Sequence, residues 1–302
     1  MTHAVPKRSL RRNKRENITG YLFIAPYLIG FLLFQGLPFL MAFILGFTNI
    51  KYVSRLDGLA FVGLGNFQRM LADPDVMAAL GRSGLYSLMY VPLIMLSGFL
   101  FAYLLNQKIY GRGVIRTMLF LPYVSSIMAT AVVFKLLLGP QGPAMNLIRL
   151  FGNPNALPPL FNMDIALFVV VVIAVWSGMG LNMITFLAAL QNVPVELLEA
   201  ASIDGAGRWR KIRNVIIPCV APTTFFLLIS SLVTSLQNFA VIHAMTEGGP
   251  GQATTVLSVS IVRTAFTRYQ TAYASTQAIV LFIIVMFITV IQWRGQKHWV
   301  NY

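Results

Sequence analysis

The stretch VELLEAASIDGAGRWRKIRNVIIPCVAP, Val195 to Pro222, gathers three acids and four bases around its glycines in a chain that elsewhere avoids charge. Pro194 sets the start of a helix, and Glu196 falls in the first turn, where a carboxylate complements the helix dipole. Leu197, Leu198, Ala200, Ala201 and Ile203 are expected to form one compact apolar face. Gly205, with Gly207 as a second choice, is expected to end the helix at positive φ. RWRKIRNVIIP then climbs into an apolar run, with Trp209 suited to a membrane interface. A solvated loop would explain the charges and the glycines. It would not explain an apolar helix that has no domain of its own to pack against.

The runs on either side set the class. Of 302 residues, 57% are hydrophobic and 11% charged, with a mean hydropathy of +0.72; this is the composition of an integral membrane protein. A helical span needs roughly 20 apolar residues. Six segments qualify: Gly20 to Phe47, Ser83 to Gln107, Thr117 to Leu138, Ile165 to Leu190, Val215 to Phe239 and Ala272 to Trp293. The expected fold is all-α, with six transmembrane helices and a short helix between spans four and five. Residues 1–17 form a basic tail, 18–295 the membrane domain with its loop at about 191–214, and 296–302 a second tail. The first run exceeds the apolar core of a signal peptide and lacks a small-x-small exit, so it reads as a retained span.

The formal net charge of +14 acquires meaning once the charges are located. Lys7, Arg8, Arg11, Arg12, Lys14 and Arg15 precede the first span; Lys108, Arg112 and Arg116 follow the second. Arg208, Arg210, Lys211 and Arg213 follow the fourth, and Arg294 and Lys297 follow the sixth. Alternating spans put all of these on one side, while the bases of the other side are offset by Asp57, Asp73, Asp75, Asp164 and Glu247. The positive-inside rule then places both termini and Val195 to Pro222 in the cytoplasm. Here the bases orient the chain and meet anionic headgroups of the lipid bilayer. No basic patch interleaved with aromatics lies away from a span boundary, which argues against a nucleic acid partner.

The opposite side carries three loops. In the first, Gly63 and Gly65 turn the chain, Asn66 is expected to cap a short amphipathic helix lying on the membrane or on a partner, and Asp73-Pro74 opens another helix. The second, rich in Gly, Pro and Asn, reads as turns with one short helix. The third begins TEGGPG and continues into an apolar stretch expected to be a re-entrant or interfacial helix.

Chemistry is sparse. His3, His243 and His298 are far apart and on different sides, so they support neither a metal site nor a catalytic pair. The lone Cys219 excludes an internal disulfide. GAGRWRK lacks phosphate-loop spacing, so this chain has no ATPase site of its own. The spans hold no Asp, Glu, Lys or Arg away from an end, which speaks against a proton or sodium relay. They do hold uncharged polarity: Ser125 and Ser126; Ser177, Gly178, Gly180 and Asn182; Ser230, Ser231, Thr234, Ser235, Gln237 and Asn238. Singly, such residues are packing devices between membrane helices. Together, with Tyr123, Trp176 and Phe239 beside them, they suit a polyhydroxylated ligand.

EAASIDGAGRWRKIRNVIIP resembles the EAA loop of membrane subunits of binding-protein-dependent ABC importers, with Glu199-Ala200-Ala201, Asp204-Gly205-Ala206 and Pro218 in the family pattern. One departure is Ile212, where an aromatic is common. GLGNF (63–67), FLPYVSS (120–126), NFAVIHAMTEGGPGQAT (238–254) and AYASTQAIVLF (272–282) resemble the maltose-type sugar permeases of that family, so the likeness spans roughly residues 18 to 295. The resemblance implies a subunit that binds no cofactor. It would work with a second homologous permease, two ATPase subunits carrying ATP and Mg, and an extracytoplasmic solute-binding protein that delivers a sugar or oligosaccharide in the bacterial inner membrane. It implies that Glu199 engages a base of the ATPase, that Ala200 and Ala201 permit close approach and that Gly205 forms the turn. It also implies sugar contacts at Tyr123, Ser177, Gly178, Leu181, Ser231, Thr234, Ser235 and Asn238. A self-sufficient facilitator and a membrane scaffold without transport are the rival readings.

Overall fold

A computed structural model describes residues 10–51, 60–151 and 157–299. Lys7, Arg8, His3, Asp57 and residues 300–302 lie outside the described residues, as do the side chains of 10–16 and 296–299. The described chain is helical, with one isolated antiparallel bridge between Thr48 and Phe61. In order the helices are α1 (Leu10–Phe31), α2 (Leu37–Leu45), α3 (Gly65–Ala72), α4 (Pro74–Leu105), α5 (Arg112–Val124), α6 (Ile127–Leu138), α7 (Pro143–Phe151), α8 (Ala166–Gln191), α9 (Val195–Ile203), α10 (Arg208–Lys211), α11 (Ile217–Cys219), α12 (Ala221–Gln237), α13 (Ala240–Thr246), α14 (Leu257–Val262) and α15 (Thr271–Trp299).

Among the described residues, five helical stretches are long and apolar enough to cross a membrane: Asn17–Leu45, Pro74–Leu105, Ile127–Phe151, Ala166–Gln191 and Thr271–Gly295. A sixth crossing is available if Arg208–Cys219 and Ala221–Gln237, bent by 70° at Val220, are one broken span. Two expected spans therefore need correction. The third is not continuous from Thr117 to Leu138, because Ser125 and Ser126 adopt extended backbone between α5 and α6. The fifth bends at Val220, where Pro218 and Pro222 remove backbone donors on either side.

Proline also widens helices without breaking them. In an α-helix the Pro38 ring would clash with the carbonyl of Phe34. A π turn at Leu32–Gly36 lets the Leu37 amide reach back to the Leu32 carbonyl, and the helix continues. Ile212–Ile216 repeats the device before Pro218, with the Ile217 amide bonded to the Ile212 carbonyl.

The centre of the bundle is the α4–α8 pair, the most extensive helix contact in the molecule. Lipid is as apolar as leucine, so membrane helices associate through close packing and hydrogen bonds. Gly98 on α4 supplies the close packing, since a Cβ there would sit 2.8 Å from the Asn182 Cβ on α8. Seams of hydroxyl bonds add the rest: Ser235 Oγ to Ser87 Oγ at 2.8 Å, the Leu257 amide to Ser83 Oγ at 2.7 Å, and Thr276 Oγ1 to the Gly46 carbonyl at 2.9 Å. Around these lie two large clusters, one of α4, α8 and α13 residues such as Tyr86, Val170, Ile242 and Met245, the other built on Leu105, Met183, Phe186, Leu190 and Ile216. The first span rests on α15, where Phe39 meets Phe282 edge-on with centroids 5.4 Å apart, and none of its apolar window is buried.

At the end opposite α9, the loops fold back onto the bundle. Asp73 caps α4, its carboxylate accepting from the Asp75 and Val76 amides at 3.0 and 3.4 Å. Asn66 does not cap α3; its amide nitrogen holds the Gly46 and Thr48 carbonyls at the end of the first span. α3 packs on α4 and α15 of its own chain with Met70 buried and Leu71 exposed. The apolar stretch after the glycine turn is helical, as expected, but buried at Leu257, Ser258 and Val259.

Gly98→Val should lower the melting midpoint in detergent by the cost of overpacking, about 1–3 kcal/mol. Gly81→Val, on the same helix with nothing within 4 Å of its Cβ position, should leave the midpoint unchanged. Differential scanning fluorimetry of the two variants checks this.

A polar groove and a capped helix

Two connected cavities run along one side of the bundle. The first, about 550 Å³, is lined by Tyr90, Pro122, Tyr123, Ser125, Ser177, Gly178, Thr234, Gln237, Asn238 and Phe239, among others. The second, about 350 Å³ and nearer the α9 end, is lined by Tyr90, Tyr123, Gly178, Leu181, Asn182, Thr185, Phe226, Ser230, Ser231 and Thr234. Tyr90, Tyr123, Gly178 and Thr234 belong to both, so the cavities form one groove of a size that holds a small ligand.

Both helix breaks border the wider cavity. α5 stops at Val124 before the extended Ser125 and Ser126, and α12 stops at Gln237 before Asn238 at ψ 100°. Asn238 is locked in place: its Nδ2 donates to Tyr86 Oη at 2.7 Å, and its carbonyl accepts from Ser258 Oγ at 2.9 Å. Tyr86 in turn stacks on Tyr90, with ring centroids 5.7 Å apart. Gly178 lets α4 come close, since a Cβ there would meet Tyr90 Oη at 3.0 Å.

Of the residues expected along this path, the structure brings Tyr123, Ser177, Gly178, Leu181, Ser231, Thr234 and Asn238 to the groove wall. Ser235 faces α4 instead, where its hydroxyl meets Ser87. Trp176 packs edge-on against Phe134, 5.3 Å between centroids, and lines neither cavity. Tyr90 and Thr185 line the groove without having been expected there. Tyr90 sits beside Pro92 in LMYVPL, a run whose hydropathy gives no hint of direction; only the α4–α8 contact turns its hydroxyl toward α8.

The second feature is α9 and its exit. Gly205 has φ +72°, the left-handed geometry that glycine adopts without strain. The Ala206 amide reaches the Ala201 carbonyl at 2.8 Å, and the Gly205 amide reaches Ser202 at 3.1 Å. These two bonds are the 6→1 and 5→2 pair of a Schellman end. Lys211 Nζ ties the following turn back to Ser202 Oγ at 2.5 Å, and Arg208 Nε donates to Tyr103 Oη on α4 at 3.1 Å. Gly207 is ordinary extended backbone and starts α10 rather than ending α9.

The apolar residues of α9 do not share one face. Leu198 is half-buried and packs with Ile212 against the Leu190 and Ile216 cluster, and Ala201 is half-buried too. Val195, Leu197, Glu199, Ala200 and Asp204 are exposed, and Ile203 is 87% exposed. Residues at 100° intervals place Ile203 well away from Leu198, which the one-face expectation overlooked. One side of the helix is thereby seated on the bundle, and the other presents apolar and acidic groups outward.

Residues 94–294 match the family model of the binding-protein-dependent transport system inner membrane component. The chain is 32% identical over 296 residues to the probable ABC transporter permease protein YesP of Bacillus subtilis (strain 168), covering 97% of this chain and 94% of that protein. It is 33% identical over 294 residues to the sn-glycerol-3-phosphate transport system permease protein UgpA of Agrobacterium fabrum, covering 95% and 97%. Its fold is similar, with a TM-score of 0.83 at 21% identity, to a chain of a bacterial alginate ABC transporter solved with an alginate pentasaccharide-bound periplasmic protein, covering 96% of this chain and 98% of that one. Six potential crossings, a polar groove between them and the match over residues 94–294 place this chain among the inner membrane components of binding-protein-dependent transport systems.

Proposed function

We propose that this chain is one permease subunit of an ABC importer that carries a sugar or oligosaccharide inward. The observation that carries the reading is the groove: hydroxyl, amide and aromatic groups set among aliphatic ones, with no charged side chain on its wall. Uncharged polar groups flanked by aromatic rings fit a ligand that is hydroxyl-rich and has apolar ring faces. Similar proteins named for sn-glycerol 3-phosphate and for alginate support a polyhydroxylated cargo. In this proposal an extracytoplasmic solute-binding protein delivers the cargo, and a second homologous permease completes the passage.

The driving energy comes from two partner ATPase subunits that hold ATP and Mg, while this chain binds no cofactor. α9 is the coupling element, on the cytoplasmic side with both termini. Glu199 pairs with a base on the ATPase, Ala200 and Ala201 let that surface approach, and Asp204-Gly205-Ala206 sets the exit of the helix. The exposed Leu197 and Ile203 and the rigid Schellman end support the assignment, because a docking helix must keep its shape under load.

In proteoliposomes holding the full complex, Glu199→Lys should reduce both uptake and binding-protein-stimulated ATP hydrolysis at least tenfold, about 1.4 kcal/mol. Unchanged rates in radiotracer and phosphate-release assays would show that α9 does not couple. Gly205→Val forces a β-branched residue to φ +72°, at a local cost of about 1–2 kcal/mol. Hydrogen exchange at the Ala206 amide should accelerate, and uptake should fall while the melting midpoint of the bundle holds.

A further inference from the structure

Another cavity, of about 410 Å³, opens at the end of the bundle opposite α9 and shares no lining residue with the groove. The end of α6, the Pro159–Phe161 turn and the end of α13 with its glycine turn enclose it. Leu160 and Met245, both buried, line its inner part, and the exposed Phe161 offers a ring face beside Pro140 and Pro250. The groove carries no charge on its wall. This cavity carries one of each sign, Lys135 and Glu247.

Glu247 stands where glycine is expected. It follows the last residue of α13 at φ +54°, the left-handed geometry that usually falls to glycine at a helix end. The chain fixes its backbone there: the Glu247 amide donates to the His243 carbonyl at 3.0 Å, and its carbonyl accepts from Arg263 Nη2 at 2.6 Å. The carboxylate lies 3.8 Å from Lys135 Nζ, but both side chains are exposed, and a loose exposed pair contributes little to stability. A glycine would close α13 with less strain, so the carboxylate calls for a use outside the fold.

The neighbouring loop groups are already paired. Thr246 Oγ1 donates to the Ile242 carbonyl at 2.9 Å and meets Thr254 Oγ1 at 2.6 Å, and the Gly249 carbonyl accepts from Thr254 Oγ1 at 2.8 Å. Hydrogen-bonding capacity for a ligand is therefore concentrated in the ammonium donors of Lys135 and the carboxylate oxygens of Glu247.

We propose that this cavity is an outer carbohydrate site, in which Glu247 accepts from adjacent hydroxyls of a sugar, Lys135 donates to another of its oxygens, and the apolar face of the ring lies on Phe161. The site rests on the carbohydrate reading given above. Facing charges of opposite sign favour a neutral sugar, since an anionic ligand meets Glu247 and a cationic one meets Lys135. α13 starts at Ala240 on the wall of the wider cavity and ends at Glu247, so one short helix separates the outer site from the groove.

The test uses the complete transporter in nanodiscs and a panel of labelled glucose, galactose, maltose, sucrose and lactose. Phe161→Trp places a fluorescent ring in the wall. Without binding protein, its emission should shift saturably with whichever sugar the wild-type complex carries into proteoliposomes. Adding Glu247→Gln or Lys135→Met should raise the half-saturating concentration at least tenfold. Glu247→Gly separates binding from bracing, because it removes the carboxylate and relieves the left-handed backbone: the same tenfold weakening should come with a melting midpoint unchanged or raised. Unchanged half-saturation in E247G, or a midpoint that falls, makes Glu247 a brace of the loop and overturns the site. A carried sugar that leaves the reporter still, or a reporter that answers only to binding protein, overturns the site and leaves the carbohydrate reading intact. If F161W does not assemble, equilibrium dialysis of the carried sugar should show less bound to E247G than to wild type; equal binding overturns the site as well. A wild-type complex that carries none of the panel overturns the carbohydrate reading and the outer site with it.

Discussion

Backbone polarity at membrane depth is the constraint on which this structure turns. An interrupted helix frees amides and carbonyls that lipid cannot satisfy, so a break survives only inside protein or beside a wet cavity. The breaks after Val124 and Gln237 meet that condition in the same place, on the wall of the wider cavity. The groove and the breaks are therefore one feature. Each break adds backbone polarity to a wall that carries hydroxyls and amides among its apolar residues, and the cavity in turn makes the breaks tolerable.

The same scarcity of water decides how the bundle holds. Tyr86 is fully buried and anchors Asn238 from below, which fixes the direction in which the chain leaves α12. Ser87 and Ser83 bond α12 and α14 to α4 along one seam. Gly98 and Gly178 bring α8 onto α4 along another. Individual bonds of this kind in membranes are worth on the order of 1 kcal/mol or less. Their effect lies in number and in register, since a helix shifted by one residue would lose all of them together.

Much of this was legible in the residues. Apolar length predicted the crossings, Asp73-Pro74 predicted the capped start of α4, and Gly205 predicted the left-handed exit of α9. The uncharged polar residues after α5 and along α8 and α12 pointed to a polar path as a set, although each one singly reads as a packing residue between membrane helices. What hydropathy does not carry is direction. Ser231 and Ser235 are one turn apart and chemically identical, yet one lines the cavity and the other meets Ser87, a difference set by how α12 rolls against α4. Nor does a serine pair such as Ser125-Ser126 announce a break, because serine is at home in membrane helices and only the tertiary setting makes extended backbone there affordable. The π turns before Pro38 and Pro218 were hidden for the converse reason, since proline in an apolar run reads equally as a kink, a break or a tolerated ring.

The groove and α9 are joined by packing rather than by a polar relay. Leu227 lines the narrower cavity and also belongs to the buried cluster of Met183, Phe186, Leu187, Leu190 and Ile216, on which Leu198 of α9 rests. Close-packed interiors transmit displacement because they have few voids to absorb it. A push on the outer side of α9 thus meets three obstacles to local yielding: the Schellman bonds at Gly205, the Lys211 to Ser202 tie, and the seat of Leu198 and Ile212. With those paths closed, movement of α9 must be shared with α8 and with the bent segment ahead of α12. The bend at Val220 is the place where that segment has fewest backbone bonds to break, since Pro218 and Pro222 flank it. A hinge there would change the tilt of α12, and with it the distance of Ser231 and Thr234 from Gly178 and Asn182 across the groove.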